Sequence, residues 1–232
     1  MQAVNNVSYG GVYFHAWYRD ESTTGGLFLQ KATHDMDYIN YLLEIQPVAI
    51  CAMKSKQIFK GDRPAGLLCK DCPDAETCPE GPFVMKFSKC DDAKGDMCCF
   101  ATDTGNEDSG SALIRYETGM HVSYSQNFFA RKGAGARGAR LLGYNGTLEF
   151  DWYKDELKVF MHNTPRVDTY KFDTVNMAHG GGDHILAYNF IQIMQGREKS
   201  IAPMDAGLLS CLMCLKARES GETNRFLDIS WD

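Results

Sequence analysis

The sequence has no long apolar run. Its longest unbroken stretches span only a few residues, such as Pro47 to Met53, whereas a membrane-spanning helix needs about 20. It has no basic excess either: 24 Lys and Arg against 30 Asp and Glu leave a formal charge of −6. Domains that bind nucleic acid usually carry a basic footprint, so this balance argues against such a partner. No GxxxxGK[ST] segment occurs, and no GxGxxG follows a strand and opens a helix. GAGARG at 133–138 lies between two expected strands, and the glycines at 180–182 lack a preceding buried parallel strand. A phosphate cradle is therefore not visible in this sequence. The opening residues MQAVNNVSYGG lack the basic start, apolar middle and small-residue cleavage site of a signal peptide. The chain reads as starting in mid-protein, and a cytoplasmic location is the expectation. Internal repeats and low-complexity tracts are also absent.

What is present suits one substantial core with a small appendage: 232 residues, 44% of them hydrophobic. After a partly alternating aromatic stretch at 7–19 that favours a strand, Gly25 and Gly26 precede LFLQKATHDMDYINYLLE, which has helical spacing up to Glu44. Pro47 ends that helix, and PVAICAMKSKQIF reads as a second strand. Residues 60–107 then lose any sustained period and read as an irregular, Cys-rich insertion. From Ser109 onward, strands follow in quick succession: SALIRYET, MHVSYSQNFFA, GARLLGY, TLEFDWY and ELKVFMH. Turns at Glu117–Gly119, Asn145–Gly146 and Lys154–Asp155 divide them into an antiparallel meander. Two helices close the chain, one capped by Asp183 and ending at Gly196, the other opened by Pro203 and Asp205 and stopped by Gly221. The expectation is an α+β fold, with an open, mostly antiparallel sheet of about six strands and helices packed on one face. The uncovered face needs a cover, so homo-oligomerisation through it is expected.

Gln30 and His34 stand four apart on the first helix, where both reach a common ligand. An imidazole that titrates near neutrality suits a general base, and an amide suits holding a hydroxyl. The alternative is that the two bond each other or the sheet. Lys31 offers a cation about 100° around the helix from Gln30, and Asp37 reads as a packing or salt-bridge residue. His179 and Asp183 flank three glycines before a helix, where backbone N–H groups approach an anion or where Asp183 simply caps. His15 and Tyr18, on the first expected strand, and Asn127, on a later one, are candidates to line a sheet face toward substrate. Arg131, Lys132, Arg137 and Arg140 form a basic, glycine-threaded run that reads as a solvated loop or an oligomer contact.

Nine cysteines is an odd number, and spacing alone assigns no pairs. Cys51, Cys211 and Cys214 lie in apolar stretches and read as small buried hydrophobes. Cys69 and Cys72 have the spacing of a zinc knuckle, with Cys78 and Cys90 as possible partners for tetrahedral thiolate ligation of a structural zinc ion. Disulfides and unligated thiols stay open beside it, since the second pair lacks that spacing and Cys98 and Cys99 are adjacent.

Several segments together resemble the C-terminal domain of the Gfo/Idh/MocA oxidoreductases, the relatives of glucose–fructose oxidoreductase and inositol dehydrogenase. They are GGLFLQKATHDMD at 25–37, GYNGTLEFD, HGGGD at 179–183, and the ending SIAPMDAGLLSCLMCLKARESGETNRFLDI. The resemblance implies that residues 1–232 form a single substrate-binding and oligomerisation domain, homodimeric or homotetrameric. It would follow a Rossmann domain that this sequence lacks, along with that domain's catalytic lysine. It implies NAD or NADP as cofactor of the parent enzyme, a sugar or polyol hydroxyl as substrate, and a chain that is catalytically incomplete alone. The family usually has Asp at the position of Gln30 and His at that of His34, so the resemblance implies His34 as catalytic acid/base with Gln30 near the substrate hydroxyl, beside which Lys31, His179, Asp183 and His15 stand as further substrate-side candidates. Gln30 departs from that pattern and carries no charge. Two rivals stand beside this reading: a non-catalytic assembly or ligand-binding module, and a relative that cleaves glycosides through transient oxidation by NAD.

Overall fold

The computed structural model describes residues 1–81, 95–173 and 178–231. The sheet has nine strands: β1 (Gln2–Asn6), β2 (Pro47–Ser55), β3 (Ser109–Tyr116), β4 (His121–Asn127), β5 (Ala136–Leu142), β6 (Gly146–Asp151), β7 (Glu156–Met161), β8 (Val167–Lys171) and β9 (Leu227–Asp228). Their order is β8-β7-β6-β5-β1-β4-β3-β2-β9, open at both ends. The expected α+β architecture with an open, mostly antiparallel sheet holds, but the count of about six strands falls short. The missing three are short or polar. One of them, β1, carries two asparagines and pairs parallel to β4 (Ala3 opposite Tyr124), so it is no part of a meander.

The helices are α1 (Val12–His15), α2 (Glu21–Thr24), α3 (Thr33–Leu43), α4 (Gly182–Met194) and α5 (Met204–Thr223). The stretch at 7–19 is not a strand. It turns at Gly10, forms α1 and then a 3-10 turn at Trp17–Arg19. Its aromatics serve a second core instead of a pleated surface: Phe14 stacks on Phe59 at 4.2 Å and Tyr13 meets Phe128 edge-on at 5.4 Å.

Asp20 caps α2 by accepting from the Ser22 N–H at 2.9 Å. Gly25 and Gly26 both take positive φ, +73° and +89°, and a Cβ on Gly25 would come within 2.8 Å of Leu29. The double glycine thus reverses the chain tightly into the next helix. That helix begins as a π-helical turn, Phe28–Ala32, before continuing as α3. It ends at Glu44 in the left-handed region, earlier than the proline expected to stop it. Likewise α5 runs through Gly221 and stops at Asn224, whose φ is +56°. Asp183 does not cap α4, because Gly181 occupies that position. The Asn145–Gly146 hairpin exists, yet neither residue has positive φ.

The main core lies between one face of the sheet and α3 and α5. Phe28, Ala32, Met36 and Ile39 meet Ile50, Ala112, Ile114 and Tyr124 from the strands and Met213, Cys214 and Ala217 from α5. Gly110 leaves room for the Phe28 ring, which a Cβ there would meet at 2.9 Å. Helix α4 stands apart, with Ile185, Tyr188, Phe190 and Met194 exposed. The other sheet face carries exposed Met53, Leu113 and Leu142 and a concave surface enclosing about 810 Å³. Cys51 lies on that face, half-buried, and Cys211 is half-buried too; of the three cysteines expected inside, Cys214 alone is fully so. Among the described residues, no helix is long and apolar enough to cross a membrane.

Candidate functional site

The π-turn and the start of α3 bring Gln30, Lys31, His34 and Asp35 to the end of the sheet where β1 and β5 run side by side. π-Turns inside helices concentrate at functional sites because they re-aim side chains at a cost in backbone regularity. Asp35 is completely buried. One of its oxygens accepts from Asn5 Nδ2 at 2.6 Å and Tyr124 OH at 2.8 Å, the other from Arg137 Nε at 2.8 Å. Arg137 also lies over the Trp152 ring at 4.7 Å, which fixes its guanidinium plane. Lys31 is buried, donates to the Tyr9 hydroxyl and has its ammonium 4.9 Å from the Tyr9 ring centre. Burial pushes the Tyr153 hydroxyl up to about 12, with nearby Asp35 adding to the rise and Arg137 opposing it.

His34 is exposed and Gln30 half-buried, so neither is walled into the core. Desolvation of the His34 ring holds its pKa below the ordinary histidine value, and the cations of Lys31 and Arg137 lower it further. Asp35 and Asp37 pull the other way without prevailing. The result is an accessible imidazole kept in its neutral, proton-accepting form, with two fixed cations beside it. Such a group can take a proton from a hydroxyl, and the cations favour the oxyanion that develops.

The other expected site residues fall elsewhere. His179 takes left-handed backbone, and its Nδ1 pairs with the Asp183 carboxylate at 2.9 Å, so these two are partners on an exposed turn. His15 is not on a sheet face. It sits in α1, buried, and its Nδ1 donates to the Met97 carbonyl at 2.7 Å, which ties it to the insertion. Tyr18 follows in the 3-10 turn, and Asn127 donates to Asn6. Cys69 is buried and begins a 3-10 turn that Cys72 closes; Cys78 is half-buried, and Cys90 lies outside the described residues. Burial pushes the Cys69 thiol up to about 11, with Cys98, Cys78 and Cys72 adding to it. No three described thiols gather at ligand spacing; the described group that does is His15, Glu80 and Cys99.

Sequence reasoning missed Asp35, Arg137 and Tyr9. Arg137 belonged to the run read as a solvated loop, yet it pairs with a buried carboxylate, and Arg131 of the same run pairs with Glu80. The available signal was the acidic residue beside His34, pointing inward where the helix would otherwise be apolar.

The described residues supply no dinucleotide cradle. The glycines at 133–138 form a 3-10 turn and enter strand β5, and those at 180–182 start α4 without a preceding strand of the sheet's core. Fold and site together define an α+β domain whose helical face carries a polar, cationic cluster and whose other face is open.

The chain belongs to the GFO/IDH/MocA C-terminal domain family, whose sequence model matches residues 3–149. It is similar to YteT of Bacillus subtilis (strain 168), provisionally named an oxidoreductase, at 26% identity over 214 residues, 77% of this chain and 49% of that protein. Its fold matches levoglucosan dehydrogenase in complex with NADH and levoglucosan (TM-score 0.67, 17% identity, 98% of this chain and 57% of that one). It also matches an NAD-binding oxidoreductase from Klebsiella pneumoniae (TM-score 0.70, 13% identity, 100% and 59%). The chain spans about half the length of the curated relative it matches. Its relatives are oxidoreductases, and structural neighbours hold NADH.

Proposed function

We propose that this chain is the substrate side of an NAD(P)-dependent oxidoreductase that acts on a sugar or polyol hydroxyl. The observation that carries the reading is His34: accessible, depressed in pKa, and flanked by Lys31 and Arg137. In this reading His34 takes the hydroxyl proton while half-buried Gln30 holds a neighbouring hydroxyl. Lys31, braced on Tyr9, supplies a fixed positive charge without leaving the core. The match to a levoglucosan complex supports a carbohydrate-like substrate. Nucleotide binding is assigned to residues outside this chain, because no described segment here fits it, and the chain alone is inactive on that account.

The open sheet face is assigned to self-association as a homodimer or homotetramer, supported by the exposed Met53, Leu113 and Leu142 on one side of a sheet whose other side is covered. The test of the catalytic reading is His34→Ala in a protein that joins this domain to its nucleotide-binding partner domain. Turnover on the cognate polyol falls by about two orders of magnitude or more if the imidazole is the base. Unchanged turnover in a folded variant removes His34 from the mechanism.

A further inference from the structure

Away from that cluster, where the insertion meets α1, three potential ligand atoms converge. The His15 nitrogen, a Glu80 carboxylate oxygen and the Cys99 sulfur all lie within 4.8 Å of one another. His15 is 2% exposed and Cys99 1%. The Met97 carbonyl can only accept, so the His15 Nδ1 facing it at 2.7 Å carries the hydrogen. In the neutral ring, Nε2 then presents a lone pair. That atom is buried and has no hydrogen-bond partner. It faces Glu80 Oε2 at 3.7 Å, too far for a hydrogen bond.

A lone pair and a carboxylate aimed at each other repel unless a proton or a metal ion lies between them, and 3.7 Å is too long for a shared proton. A zinc-class ion has bonds of about 2.0–2.3 Å to N, O and S, which at tetrahedral angles place neighbouring ligands roughly 3.4–3.6 Å apart. The 3.7 Å separation is close to that spacing. A backbone carbonyl on Nδ1–H is also the usual outer partner that fixes the tautomer of a metal-bound histidine. Glu80 is held from behind by Arg131, which donates to both its oxygens at 3.1 and 2.9 Å. A carboxylate has about four lone-pair sites, so this leaves one toward His15. One carboxylate and one thiolate neutralise a divalent ion, and the mixed N, O and S donors favour zinc over calcium or magnesium.

We propose that His15, Glu80 and Cys99 bind a zinc-class divalent ion, with water in the fourth position. Binding joins α1 to two points of the insertion that are 65 and 84 residues away in sequence. It thereby staples a segment that has little regular structure. Cys99 gives up its thiol proton to the solvent as the metal–sulfur bond forms.

The experiment titrates the purified chain with Co²⁺ and follows the thiolate-to-metal absorption, then measures zinc content after loading with Zn²⁺ and desalting. The expected result is one metal per chain and a band with the intensity of a single sulfur ligand. Cys99→Ser, close in size to the native residue, should abolish the band, while Cys69→Ser and Cys72→Ser leave it intact. Glu80→Gln should weaken the metal by tenfold or more. Three outcomes overturn the proposal: no bound metal, a band that survives Cys99→Ser, or a band that needs Cys69 and Cys72. If Cys99→Ser fails to fold by circular dichroism, the wild-type band decides, because an intensity matching several sulfurs assigns the metal to the other cysteines.

Discussion

The replacement of Asp35 tests most directly whether the polar cluster is held as described. The side chain is fully buried, and both oxygens are used by donors: Asn5 and Tyr124 on one, Arg137 on the other. Asp35→Ala removes every one of these bonds and leaves the half-buried Arg137 guanidinium without its counter-charge. Breaking one side of such a pair costs about 3–5 kcal/mol. For a chain of this length each kcal/mol moves Tm by about 2–4 °C, so the expected loss is about 6–20 °C. Asp35→Asn keeps shape and one acceptor. Asn5 can reverse its amide to meet the new NH2, since its own Oδ1 is buried and unpartnered, and the Tyr124 hydroxyl can turn toward Gln126 Oε1 at 3.2 Å. Only the charge on Arg137 stays uncompensated, which costs about 1–3 kcal/mol. Urea unfolding followed by circular dichroism measures both, with an unchanged m value as the check that the unfolded states match. An Ala variant within about 1 kcal/mol of the native chain, or an Asn variant as damaged as Ala, would refute the argument.

The remaining expectations rest on other groups. His34 has a folded pKa below its unfolded value of 6.5. Its contribution to stability is therefore complete above pH 6.5 and is lost as pH falls through the folded value. If the proposed enzyme is assembled with a nucleotide-binding domain, the acid limb of its kcat/KM should accordingly lie below 6.5, and Lys31→Met should move it upward; a limb above 6.5 would contradict the assigned environment. Glu107, buried where it accepts from the Phe28 N–H at 2.8 Å, is raised in pKa by desolvation. Its stability contribution is full below its unfolded value and declines as pH rises through the folded one, so Glu107→Gln should gain on the native chain toward neutral pH. Glu107→Ala, which orphans that N–H, should cost about 1–3 kcal/mol by thermal melting. On the open face, Leu113→Arg should shift sedimentation toward monomer with the melting temperature little changed, and an unaltered sedimentation coefficient counts against assembly there.

Much of the fold was legible because strand and helix periods are local. Strands β3 and β4 alternate strongly, and the α3 stripe repeats at helical spacing. The errors have a common physical source. At 7–19 the aromatics looked like a pleated surface, but Phe14 and Tyr13 fill a satellite core with Phe59 and Phe128, partners 45 and 114 residues from Phe14. Strand β1 lacks β-branched and aromatic weight, and its place is set by pairing with β4 and β5. No window of sequence contains those contacts.

The site shows the same division. His34 and Gln30 could be picked out as candidates because a four-residue spacing is a property of one helix. What makes His34 suitable as a base is not: Arg137 arrives from β5, about a hundred residues later, and Lys31 is positioned by a tyrosine from the other side of the double glycine. A cation read alone in a glycine-rich run has every appearance of a solvated loop. Only the fold reveals that Asp35 faces inward, that burying its carboxylate requires a counter-charge, and that the arginine answering this requirement also depresses the neighbouring imidazole. In the proposed site, structural and chemical roles are therefore coupled in one cluster. An Arg137 substitution that spares folding should still alter the pH range over which His34 accepts a proton, whereas a purely structural arginine would leave that range where it was.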